Sequence, residues 1–80
     1  MELILYHTSG CHLCELAEGV VAQAKLAGAD IQLTLVDIAA SEDLMNRYGW
    51  TIPVLASGSW ELSWPFDLAK LQSWLVLLKT

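Results

Sequence analysis

The chain has 80 residues, of which 55% are hydrophobic and only 16% charged, with four tryptophans and a mean hydropathy of +0.46. That composition excludes a disordered chain and allows one domain, which at this length buries only roughly 60–65% of its unfolded surface and so needs a dense core. Nine acidic against four basic residues give a formal net charge of −5 with no Lys/Arg cluster, which argues against nucleic acid and anionic membranes as partners.

Met1-Glu2 lead into an apolar run without a basic leader, and the longest C-terminal apolar run, Trp74 to Leu78, is far too short for a bilayer. A cytoplasmic protein is therefore expected, and there two close cysteines point to catalysis or metal binding rather than to a structural staple. Leu3-Ile4-Leu5-Tyr6, bounded by Thr8-Ser9-Gly10, reads as a buried strand. From Cys14 onward, apolar residues recur at Leu16/Ala17, Val20/Val21, Ala24 and Ala27, the spacing of one helix face, with Gly28 and Asp30 as stop signals. Gly19 inside this pattern costs about 1 kcal/mol relative to alanine, and predicts a close approach of helix to sheet.

Ile31, Leu33 and Leu35 alternate with Gln32 and Thr34, as in a strand with one covered and one open face. Ser41 before Glu42 and Asp43 predicts a capped short helix that closes at Gly49. The segment Ile52 to Leu62 offers two strands around Ser57-Gly58-Ser59, a hairpin-length loop. After Trp64-Pro65, Asp67 can cap a last helix whose Leu68, Leu71, Leu75 and Leu78 form one stripe, with Lys79 at its C-terminal end. The order is β-α-β-α-β-β-α. It predicts a single α/β domain over residues 1–80: a four-stranded mixed sheet, its first two strands parallel through a right-handed crossover, with helices on both faces.

Both cysteines and both histidines fall within His7 to Cys14. If a helix begins at Cys11, one turn returns Cys14 beneath it, at a Cα separation inside the roughly 4.4–6.8 Å that a disulfide requires. A helix N-terminus favours the thiolate, so Cys11 is the candidate nucleophile, with a pKa expected below the roughly 8.5 of a free thiol, and Cys14 the more buried resolving thiol. His7 and His12 are candidate modulators that would support the thiolate, whereas Glu15 and Glu18 would oppose it. Two alternatives stay open at this point: two thiols that merely pack against a core, and a metal clip of His7, Cys11, His12 and Cys14. Zinc sites draw ligand pairs from separate segments, and no second pair exists here, so no metal is expected. An iron–sulfur cluster shared between two chains is weaker still.

Leu5 to Cys14 resembles the strand, loop and active-site motif of glutaredoxins, and Thr51-Ile52-Pro53-Val54-Leu55 resembles the segment that faces that motif throughout the thioredoxin superfamily. Arg47 to Leu55 and Trp64 to Leu75 look most like the small bacterial glutaredoxin-like proteins, most of which carry no assigned function. The resemblance implies a thioredoxin-like fold of glutaredoxin type and thiol–disulfide oxidoreductase activity through Cys11 and Cys14. It also implies a substrate site at Thr51, Ile52 and Pro53, with Pro53 in cis and the Ile52 backbone offered to an extended substrate as to an added strand. The partner would be a disulfide-containing protein or glutathione, the latter as cosubstrate, and no tightly bound cofactor is implied. The reduction potential would fall roughly between −270 and −200 mV.

Two departures bear on glutathione. Thr8 stands where the family carries a lysine or arginine, and Ser63-Trp64-Pro65-Phe66-Asp67 replaces a Gly-Gly segment, although Asp67 is retained as a candidate ligand. Trp50, Trp64 and Phe66 are candidates for an apolar docking rim beside Cys11. Trp60 and Trp74 are expected to fill the core. A non-catalytic partner-binding module docking through Trp50 and Trp64 is the alternative function. Small size and acidity point to a monomer.

Overall fold

In the computed structural model, which describes residues 1–79, the first apolar run becomes β1 (Glu2–His7), an inner strand of a four-stranded sheet. Then follow α1 (His12–Leu26), β2 (Gln32–Asp37), a 3-10 turn (Ile38–Ala40), α2 (Glu42–Tyr48), β3 (Val54–Ser57), β4 (Trp60–Ser63) and α3 (Leu68–Lys79). The sheet order is β2-β1-β3-β4. Strands β1 and β2 are parallel, and β3 is antiparallel to both β1 and β4. Ser57 pairs with Trp60 across a two-residue turn, in which Gly58 takes φ +58 at the first position, a backbone region that glycine enters without steric cost.

Period-two alternation divides the strand residues between two apolar clusters. Leu3 and Leu5 of β1, Leu55 of β3 and Leu62 of β4 meet Ala17, Val21 and Ala24 of α1 and Leu71, Trp74 and Leu75 of α3. On the opposite face, Tyr6 and Val54 pack with Ile38, Leu44, Tyr48 and Ile52. Helices thus cover both faces, and the structure has the expected thioredoxin-like, mixed α/β arrangement. The helix caps follow the sequence signals: Ser41 Oγ accepts the Leu44 amide at 3.3 Å and Asp67 Oδ1 the Lys70 amide at 2.8 Å. Asp37 Oδ1 accepts the Ala39 amide at 2.9 Å, fixing the 3-10 turn that the sequence reading omits.

Five expectations are corrected. Gly19 is exposed, and a Cβ there would meet nothing within 4 Å; the small side chains that let α1 approach the sheet are the fully buried Ala17 and Ala24. Leu16 is 45% exposed, because it lies about 120° around the helix from the middle of the buried Cys14-Ala17-Val21-Ala24 stripe. Leu35 is also 45% exposed, since β2 is an edge strand with a neighbour on one side only. Trp60 is 64% exposed rather than in the core, standing at the turn end of the other edge strand. Phe66, expected at a docking rim, is buried at 4% exposure against the α1–α3 side of the sheet.

Candidate functional site

The strand register brings the chemistry-bearing segments to one end of the sheet. Tyr6 pairs with Val54, and Val54 with Ser63. One residue further along the β3–β4 ladder, the Trp64 amide donates to the Pro53 carbonyl at 3.1 Å, and His7 is the last residue of β1 at the same end. The loop that leads from β1 to the cysteines, the segment before β3 and the segment after β4 therefore share this end. Gly10 turns the chain into α1 with φ +75, where any side chain would be strained.

Cys11 is the N-cap of α1 and is joined to Cys14 by a disulfide, with a Cα separation of 5.2 Å. The Cys14 amide donates to Cys11 Sγ at 3.1 Å, and the Glu15 amide to the Cys11 carbonyl at 3.2 Å. Sulfur thus takes the place that a serine or aspartate oxygen usually fills at a helix start. Cys11 keeps part of its surface accessible, while Cys14 is 2% exposed. His12 is exposed, its Nδ1 3.6 Å from Glu15 Oε2, so its nearest charged neighbour is that carboxylate. His7 is half-buried at the end of β1.

The Ile52–Pro53 peptide is cis, and so is Trp64–Pro65, for which the sequence gives no signal. Pro53 is fully buried, Ile52 half-buried and Thr51 exposed. The Tyr48 carbonyl at the end of α2 accepts the amides of Thr51 and Ile52 at 3.0 and 3.1 Å and the Thr51 hydroxyl at 3.4 Å. The Ile52 amide is therefore engaged, whereas its carbonyl accepts no hydrogen bond within the described residues. Trp50, next to this segment, is 100% exposed, while Trp64 is half-buried against the core and meets Phe66 edge-to-face at 5.0 Å.

Asp67 lines a cleft of about 390 Å3 with Pro65, Phe66 and Lys70, whose Nζ donates to the Pro65 carbonyl at 3.4 Å. The cleft thus carries one carboxylate and one ammonium. Tyr48, Glu61 and Lys70 are site features that sequence reasoning misses. Tyr48 stacks on Tyr6 at 4.3 Å, lies 5.3 Å beneath the Arg47 guanidinium and donates its hydroxyl proton to Glu61. That hydrogen bond first, then burial and the Glu61 charge, push the Tyr48 phenol up to about 12 against the opposing pull of Arg47. Among the described residues, no three His, Cys, Asp or Glu side chains converge as a metal site would need, and no helix is long and apolar enough to cross a membrane.

The family model described as Glutaredoxin-like domain (DUF836) matches residues 2–76. The X-ray structure of the structural-genomics target protein XcR50 from X. campestris is 41% identical and superposes with a TM-score of 0.82, over 94% of this chain and 96% of that one. The solution structure of XcR50 gives a TM-score of 0.80, covering 96% of this chain and 95% of that one. Reduced desulfothioredoxin from Desulfovibrio vulgaris Hildenborough reaches 0.73 at 20% identity, over 95% of this chain and 79% of that one, a likeness of fold alone. No curated protein matches the chain.

Proposed function

The chain belongs to the glutaredoxin-like domain family, and on that premise we propose that it is a thiol–disulfide oxidoreductase working through Cys11 and Cys14. The observation that carries this reading is the asymmetry of the pair: an accessible Cys11 at a helix N-terminus, bridged to a buried Cys14 one turn on. In the reductive direction, the Cys11 thiolate attacks one sulfur of a substrate disulfide, and the other sulfur leaves as a thiolate that takes up a proton. Cys14, losing its proton to solvent, then attacks the Cys11 sulfur of the mixed disulfide. The second substrate thiolate is expelled, and the Cys11–Cys14 disulfide closes. Two electrons pass to the substrate, and the pair is restored by one dithiol, which becomes a disulfide, or by two molecules of glutathione, which leave as glutathione disulfide. No bound cofactor is needed for these steps.

The Ile52 carbonyl, without a hydrogen-bond partner among the described residues, supports a backbone contact with an extended substrate. Asp67 and Lys70 at one cleft would suit the ammonium and carboxylate of glutathione, although Thr8 supplies no cation. We place the protein in the reducing cytoplasm as a monomer acting on protein disulfides or glutathione. Full exposure of Trp50 favours a second reading, a partner-docking module in which the cysteines are peripheral.

Disulfide reduction by wild type, Cys11→Ser and Cys14→Ser, each supplied with glutathione or with a thioredoxin reductase system, separates the two. Turnover that disappears in Cys11→Ser and partly survives in Cys14→Ser supports catalysis. No turnover with either donor supports the module.

A further inference from the structure

The contacts of Tyr48 join three elements of the fold to the segment that enters β3 at the end of the sheet where β1 leads to the cysteines. Its ring is 5% exposed, stacked at 16° on Tyr6 from β1 and capped by Arg47 from its own helix, and its hydroxyl is bound to Glu61 on β4. Its carbonyl holds the amides of Thr51 and Ile52, the two residues that lead into Pro53. The Ile52 side chain packs on the same cluster of Ile38, Tyr48 and Val54. Side chain and main chain of one residue therefore link the sheet to the docking segment.

We propose that Tyr48 is a positioning residue for extended polypeptide disulfides: the Glu61 and Tyr6 contacts fix its ring, and its carbonyl thereby sets the pose of Thr51-Ile52 for strand-like pairing with the substrate backbone. The inference rests on the oxidoreductase reading. A carbonyl oxygen has two lone pairs, and the Tyr48 oxygen faces three donors, so it is over-supplied. When a substrate carbonyl approaches, the Ile52 amide can transfer to it while the Thr51 amide keeps the Tyr48 oxygen satisfied. Ile52 then offers both its amide and its free carbonyl to the substrate, and no buried group loses its partner. A small disulfide that makes no strand pairing gains nothing from this pose.

The test compares wild type, Tyr48→Phe, Glu61→Ala and Glu61→Gln on a linear peptide disulfide and on bis(2-hydroxyethyl) disulfide. Tyr48→Phe keeps the stacked ring, and Glu61→Gln keeps an acceptor oxygen. The expected result is a rise in KM for the peptide of about three- to tenfold in Tyr48→Phe and Glu61→Ala, the scale of one lost hydrogen bond. Glu61→Gln rescues most of it, and kcat/KM for the small disulfide changes far less. Hydrogen exchange of the Thr51 and Ile52 amides reads the same tether without turnover, and is faster in Glu61→Ala than in wild type. Active variants with unchanged peptide KM and unchanged exchange overturn the role of Tyr48 alone. A wild type inactive on both disulfides overturns the oxidoreductase reading, and the docking role with it.

Discussion

The Cys14 amide donates to the Cys11 sulfur at 3.1 Å across the first turn of α1, so the residue that caps the helix is also the outer member of the disulfide. A helix N-terminus so placed stabilises negative charge on the sulfur of a reduced Cys11. Cys14 lies beneath, closed off from solvent at 2% exposure. With the pair reduced, iodoacetamide at pH 7 should modify Cys11 at least about tenfold faster than Cys14. Mass spectrometry of partly alkylated protein reads the ratio; equal labelling would remove the asymmetry on which the assignment of roles depends.

Asp67 has two candidate duties, and they separate by substitution. As the cap of α3 it accepts the Lys70 amide at 2.8 Å, and asparagine caps as well as aspartate does. Asp67→Asn should leave Tm nearly unchanged, whereas Asp67→Ala should cost about 1 kcal/mol and lower Tm by about 4–8 °C. If the carboxylate also binds the ammonium of glutathione, Asp67→Asn raises KM for glutathione at constant Tm. A glutathione KM equal to that of wild type leaves Asp67 a cap only.

Trp50 is fully exposed and packs on nothing in either core cluster. Trp50→Ala should therefore shift stability by no more than about 0.5 kcal/mol. Reduction of a folded protein substrate should fall while reduction of a small disulfide is retained, because an exposed indole contributes to catalysis only through a docked partner. Equal rates on both substrates would place Trp50 outside any docking surface.

Tyr48 ties stability to alkaline pH. Below about pH 10, the ordinary tyrosine value, its phenol is protonated in both folded and unfolded chains, so its full contribution is present. Between there and about 12 the unfolded chain loses the proton first, and stability falls as pH rises. The groups that face the phenol are Glu61 from β4, Arg47 from α2 and Tyr6 from β1. Urea midpoints measured from pH 9 to 12 should decline less steeply in Tyr48→Phe than in wild type. Parallel slopes would contradict the Glu61 hydrogen bond.

Much of this fold is legible in local sequence. The Leu3–Tyr6 run, the Ser41 and Asp67 caps and the Gly58 turn each act within a few residues, and each appears where the spacing puts it. The C-x-x-C site is equally local, since one helical turn defines it. Burial of single aromatics is not local. Trp60 and Trp74 have equal hydrophobicity, yet β4 is an edge strand that leaves Trp60 in solvent, while α3 turns Trp74 onto α1. The Tyr6-Tyr48-Glu61 arrangement is invisible for the same reason. Its members lie on three separate elements, and only the β1-β3-β4 register and the docking of α2 bring them together.

In the proposed cycle Cys11 attacks and Cys14 resolves. Its most direct test is to incubate reduced Cys14→Ser and reduced Cys11→Ser with a peptide disulfide and to weigh the products by intact mass spectrometry. A mixed disulfide on Cys11 should accumulate in Cys14→Ser within the time wild type completes turnover, with little adduct in Cys11→Ser. Equal adducts on both variants, or adduct confined to Cys14, would contradict it.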